Sequence, residues 1–187
     1  MVSHLVADQE EIVRVLDRHG QWTGQVIARS QLIPQKIYYA NVAVWIIHTQ
    51  SQRVLLELRS KYKKRNPHKW CLVGGHVSVD QTYTAAALNE VKEEVNINIP
   101  LEQLRYLCVS YPCKNSRSFT FHYYYFIPQI PAKIKYQKSE VEKIQWTKID
   151  QWTKMVKDGT QTSPNWKKYR TAFTLINKVI NDYKKSH

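Results

Sequence analysis

The stretch from Leu72 to Ile97 constrains this chain most. The apolar pair Leu72-Val73 meets a double glycine, Gly74-Gly75, and continues through His76-Val77. A helix-forming segment, Thr84-Ala85-Ala86-Ala87-Leu88, then leads to Glu90, Glu93 and Glu94. Acids at i, i+3 and i+4 share one helical face. Leu88, Val91 and Val95 form a neighbouring apolar stripe, so the helix is expected to bury one side and present its carboxylates on another. Carboxylates at i and i+4 repel by roughly 0.2–0.5 kcal/mol. A divalent cation turns that repulsion into a ligand set, and hard oxygen donors suit Mg²⁺ or Mn²⁺. Three acids on a helix, taken alone, are more often a solvated face.

The whole stretch resembles the Nudix box, G-x5-E-x7-R-E-U-x-E-E-x-G-U, where U is a bulky aliphatic residue. With Gly75 at the first position, Glu90, Val91, Glu93, Glu94 and Ile97 fall on the E, U, E, E and U of the pattern. Trp70 and Gly74 also look like the usual approach to the box. Three positions depart: Gln81 stands where the family has Glu, Asn89 where it has Arg, and Asn96 where it has Gly. In the family that Glu and Arg form an ion pair tying loop to helix. Here both ends are neutral amides, and Gln81 and Asn89 are expected to hydrogen-bond to each other. Losing only one partner would leave an unpaired, partly buried charge. Asn96 stands where the helix should end, and Asn is the next-best residue after Gly for a left-handed cap.

Length and composition agree with a globular protein. The 187 residues read as a single domain, 1–187, with 1–35 an N-terminal hairpin segment and 75–97 the Nudix box. Apolar residues make up 43% and charged residues 23%, and no apolar run approaches the ~20 residues of a membrane span. The first residues hold early acids and no signal-peptide core, and Cys71, Cys108 and Cys113 lack metal-ligand spacing. Reduced thiols and a cytoplasmic location are the expectation. The net charge of +13 implies an anionic partner. Lys and Arg are spread without a long basic run, so a phosphorylated small molecule is favoured over nucleic acid, and a homodimer is compatible with the sequence.

Along the chain, Glu10–Leu16 and Trp22–Val26 read as strands around the turn Asp17-Arg18-His19-Gly20. That hairpin, with Thr23-Gly24 and Ala28-Arg29, resembles the start of isopentenyl-diphosphate-isomerase-like Nudix proteins. Strands are expected at Ile37–His48, Arg53–Ser60, Leu104–Tyr111, Phe119–Ile127 and Glu142–Trp146. Asp150 is a candidate N-cap for a helix over Gln151–Val156, and Asn165–Tyr183 reads as a closing amphipathic helix. The implied fold is α/β (α+β), a mixed β-sheet sandwiched between helices.

The resemblance implies hydrolysis of a diphosphate linkage by water. Glu90, Glu93 and Glu94, with the main-chain carbonyl of Gly74, are the implied metal ligands for Mg²⁺ or Mn²⁺. Glu90 and Glu93 are the implied catalytic residues, Glu90 being one candidate base and Glu140 or Glu142 the later-loop candidates. In the basic loop Lys61–Lys69 the cations have the chemistry to bind a diphosphate, and Arg59, at a strand end beside the box, is the best single candidate for a substrate contact. A His at the position of His76 is common in the isomerase-like branch. Three other functions stay open, one of them an RNA-processing Nudix enzyme, which the net charge suggests. Isopentenyl diphosphate isomerase carries a catalytic Cys directly before its Gly-His, where this chain has Gly74. A nucleotide-binding or partner-binding module without turnover is suggested by Gln81 and Asn89, and opposed by the retained carboxylates.

Overall fold

The structure is a computed structural model describing residues 10–32, 37–63, 65–114 and 116–186. Readings that fall on 1–9, on 33–36 of the hairpin segment, on Lys64 of the basic loop and on Asn115 lie outside the described residues.

The centre is β3 (Tyr39–His48). Ala40, Val42, Val44 and Ile46 point into one core, Ala43, Trp45 and Ile47 into the other. A strand apolar on both faces must be covered on both. It pairs in parallel with β7 (Ser118–Ile127), from Tyr39↔Ser118 to His48↔Ile127. β4 (Arg53–Arg59) lies antiparallel to β3, to the short β5 (Trp70–Cys71) and to β8 (Val141–Lys148). β6 (Arg105–Ser110) closes the far edge against β7. The strand order is β5-β4-β3-β7-β6, with β8 on β4. One face is covered by α1 (Tyr83–Val95) through Ala86, Ala87, Val91 and Val95. The other is covered by α2 (Ile149–Asp158) and α3 (Trp166–Ser186) through Trp152, Val156, Phe173, Ile176 and Ile180. The expected mixed sheet between helices is the observed fold.

Two local readings are corrected. α2 begins at Ile149, with Lys148 at the N-cap position and no side-chain cap. Asp150 therefore lies inside the first turn, where its charge suits the helix N-terminus rather than capping it. β8 is longer than the expected Glu142–Trp146, because its pairing with β4 runs from Arg53↔Lys148 to Arg59↔Val141.

The N-terminal hairpin forms as expected, β1 (Ile12–Leu16) against β2 (Trp22–Ala28). Asp17 Oδ1 accepts from the amides of His19 and Gln21 at 2.8 and 2.9 Å, and Gly20 supplies φ +85°. The hairpin docks on the loop after the double glycine: Val79 N donates to Ile12 O at 2.9 Å, and the Arg14 guanidinium donates to Val79 O. This docking carries Glu11 and Arg29 to the site described below.

Under α3, His122 on β7 is fully buried. Trp45 Nε1–H donates to its Nδ1 at 3.3 Å, so the neutral ring carries its proton on Nε2, 3.0 Å from Ser110 Oγ. Burial, and then the nearby Lys168 cation, push its pKa down to about 3. A depressed folded-state value on a base means stability is fully present above the unfolded pKa of ~6.5 and is lost as pH falls toward 3. Between pH 6.5 and 4.5 this amounts to about 2 kcal/mol. Urea midpoints across that window should fall more steeply for the wild type than for His122→Gln. Parallel curves would show that His122 does not drive the acid sensitivity.

Candidate active site

The segment after β5 is pinned alongside β3. Val44 N donates to Val73 O and Val42 N to Gly75 O, both at 2.9 Å, and Val77 N donates to Ala40 O at 3.2 Å. This close approach explains the double glycine. Gly74 has φ +151°, and a Cβ there would lie 2.2 Å from Val42 O. A Cβ on Gly75 would lie 2.1 Å from Glu90 Oε1, so the Glu90 carboxylate rests against bare backbone. The helix then starts where Thr82 Oγ1 accepts from Ala85 N at 3.1 Å, and ends at Asn96 with φ +52°, the left-handed cap expected of it.

The three glutamates do not share one solvated face. Glu93 is exposed and Glu90 half-buried, but Glu94 is only 5% exposed and points inward with Val91 and Val95. Position 94 lies one turn beyond the buried position 91 and two beyond 87, so the helix geometry sends it under the loop. There Glu94 Oε2 accepts from Gly74 N at 3.0 Å. Sequence reasoning joined Gly74 to this group through its carbonyl; here its N–H meets Glu94. Burial pushes Glu94 well above the usual carboxylate range, and the adjacent Glu57 adds to the shift. Glu90 is also raised by burial, then by Glu94, Glu11 and Glu93.

Glu90, Glu93 and Glu94 line one cleft of about 240 Å³ together with His76 and Glu140. The hairpin contributes Glu11 and Arg29, which form an ion pair at its rim. His76 is half-buried, stacks on Tyr39 with ring centres 5.3 Å apart, and its buried Nδ1 has no hydrogen-bond partner. Burial lowers its pKa well below the usual histidine value, and Arg29, Arg65, Arg59 and Lys63 reinforce the shift. Of these four cations, Arg29 lines the cleft itself. Among the described residues no three acidic, His or Cys side chains already stand in ligand geometry about one point.

The remaining candidates separate. Glu140 lines the cleft and is ion-paired to Lys63, whereas Glu142 is away from it, 3.1 Å from His68 Nδ1. Arg59 is not a lining residue; its Nε donates to Arg65 O at 3.3 Å. The expected Gln81–Asn89 bond is absent among the described residues. Gln81 Oε1 instead accepts weakly from Ser78 N at 3.4 Å, closing its own tight turn, while Asn89 is exposed. Cys71 does not line the cleft; its buried Sγ–H points to Glu57 Oε1 at 3.3 Å. Glu57 and Arg29 were not singled out from sequence. Glu57 had a readable signal, an acid breaking the apolar run Val54-Leu55-Leu56. Arg29 had none, because only hairpin docking brings it to the cleft.

The family model of the NUDIX domain matches residues 38–168, and the chain belongs to the Nudix family. Nudix hydrolase 3 of Arabidopsis thaliana is 34% identical over 92 residues, which are 49% of this chain but only 12% of that protein. The crystal structure of DR0079 from Deinococcus radiodurans superposes with a TM-score of 0.70 at 17% identity, over 87% of this chain and 98% of that one. A bifunctional NMN adenylyltransferase/ADP ribose pyrophosphatase from Francisella tularensis, complexed with AMP and a manganese ion, gives a TM-score of 0.55 at 20% identity, over 76% of this chain and 42% of that one.

Proposed function

We propose that the protein hydrolyses a diphosphate linkage in a nucleoside diphosphate derivative or similar organic diphosphate, with Mg²⁺ or Mn²⁺. One observation carries the reading. The three box glutamates line one cleft together with the Arg29 cation, and Glu140 in the same lining is ion-paired to Lys63. Such a site suits a substrate whose phosphates meet cations at both ends.

The residues fit a divalent ion. Every donor is a hard oxygen, and burying Glu94 beside further acids with no bound cation is unfavourable. Glu90, Glu93, Glu94 and the Gly74 carbonyl would hold it. When bound, the ion neutralises phosphate charge and favours attack by water. The chain's own groups do the rest. Glu90 rests against Gly75 and lines the cleft, where it is the candidate general base. Glu93 reaches the cleft from the exposed side. Arg29 is well placed to take a phosphate oxygen on releasing Glu11, a better-sited contact than Arg59. Glu140 is the reserve base, released when a phosphate draws Lys63 away.

The test is phosphate release from a panel of nucleoside diphosphate derivatives, dinucleotides and nucleoside triphosphates, with Mg²⁺ or with chelator. Release that requires metal supports the hydrolase and identifies the substrate class. Gln81 and Asn89, which are not bonded to each other, favour a second reading, a binding module without turnover. Nucleotide binding with no release across the panel would select it.

A further inference from the structure

β4 is built as a core strand, with Val54, Leu55 and Leu56 all fully buried. Its next residue is Glu57, equally buried at 0% exposure. Every requirement of packing at that point would be met by an apolar side chain, and a lone buried acid is costly. Its neighbours do not neutralise it. The β4–β5 register sets Cys71 directly opposite, and the thiol donates to Glu57 Oε1 at 3.3 Å. Oε2 has no hydrogen-bond partner. The Glu57 carboxyl lies against that of Glu94, and Arg59, two residues on, acts on both from a distance. A folded core therefore holds two carboxyl groups in contact, one with an orphaned oxygen. Buried polar groups left unsatisfied in this way mark function more often than stability.

We propose that Glu57 is a positioning residue of the metal site, a fourth carboxylate that acts on the cation through Glu94. Glu94 is gripped on one side by Gly74 N–H and backed on the other by Glu57. Such outer carboxylates fix the orientation of a ligand and strengthen its hold on the ion. Glu57 does not line the cleft, so it touches no substrate. The inference rests on the metal-dependent reading of the cleft, and goes beyond it by drawing the site's support from β4, outside the Leu72–Ile97 stretch.

The experiment is Mn²⁺ binding to the purified full chain, by titration calorimetry and by the free-Mn²⁺ resonance signal, without substrate. Glu57→Gln keeps the volume and an oxygen acceptor for Cys71, so a merely structural role would survive it. The expected result is a Kd for Mn²⁺ weakened about 10–100-fold, with an unchanged or raised melting temperature in the absence of metal. Should Glu57→Gln fail to fold, the same titration on Glu57→Leu, which fills the site with apolar volume, carries the test. A folded variant that binds Mn²⁺ as tightly as wild type overturns the role of Glu57 while leaving the hydrolase reading intact. A wild type that binds no Mn²⁺ overturns both.

Discussion

Glu93→Gln is expected to lower metal-supported phosphate release by about 10²–10³-fold while leaving stability within about 0.5 kcal/mol of wild type. The two halves have separate causes. Glu93 is exposed on α1 and has no hydrogen-bond or ion-pair partner among the described residues, so the fold loses nothing when its charge goes. In the cleft, however, it is the most exposed of the three box carboxylates, because Glu90 rests against Gly75 and Glu94 is bonded to Gly74 N. Gln keeps the shape and removes the charge that a hard cation selects. The loss should appear in kcat at saturating Mg²⁺, with the urea midpoint unmoved. A kcat within a few-fold of wild type would remove Glu93 from the chemistry and shift the burden to Glu90 and Glu140.

How much of this was legible in the chain depends on whether a feature is local or long-range. The helix and its Asn96 end follow from spacing and side-chain chemistry within one segment, and β3 shows in its aromatic and β-branched residues. The glutamate face was misjudged because periodicity places residues round a helix without saying where the buried arc ends. Glu94 falls within that arc because the double-glycine loop passes over the helix. Arg29 and Glu57 lie far from the box in sequence, and reach it only through hairpin docking and sheet register. The amide pair failed for a related reason. Gln81 is spent within its own turn, a local alternative that competes with the cross-loop bond.

The double glycine is where fold and chemistry part most sharply, and two single-methyl substitutions should separate them. Gly74→Ala is expected to destabilise the protein by about 2–6 kcal/mol. A side chain at φ +151° is strained by about 1–3 kcal/mol, and the new Cβ meets Val42 O at 2.2 Å and Ala43 Cα at 3.0 Å, adding an overpacking cost of about 1–3 kcal/mol. Both obstacles are backbone atoms of the central strand, which has no room to yield. With total stabilities of about 5–15 kcal/mol, much of the variant should be unfolded in mild urea. Gly75→Ala adds the same methyl one residue later, but its obstacle is the Glu90 carboxylate at 2.1 Å, the far end of a flexible side chain. That group can swing aside, so the unfolding free energy measured in urea should change by no more than about 1 kcal/mol. Swinging aside takes Glu90 from its place in the cleft, and a displacement of this size costs on the order of 10²-fold in rate. Urea unfolding and metal-dependent phosphate release on the two variants should therefore give opposite patterns. Gly74→Ala should lose the fold, and Gly75→Ala should keep the fold and lose the rate. If Gly75→Ala unfolds like its neighbour, Glu90 is fixed by the core and not free to move. If it stays folded and fully active, the resting place of Glu90 against Gly75 is irrelevant to the chemistry.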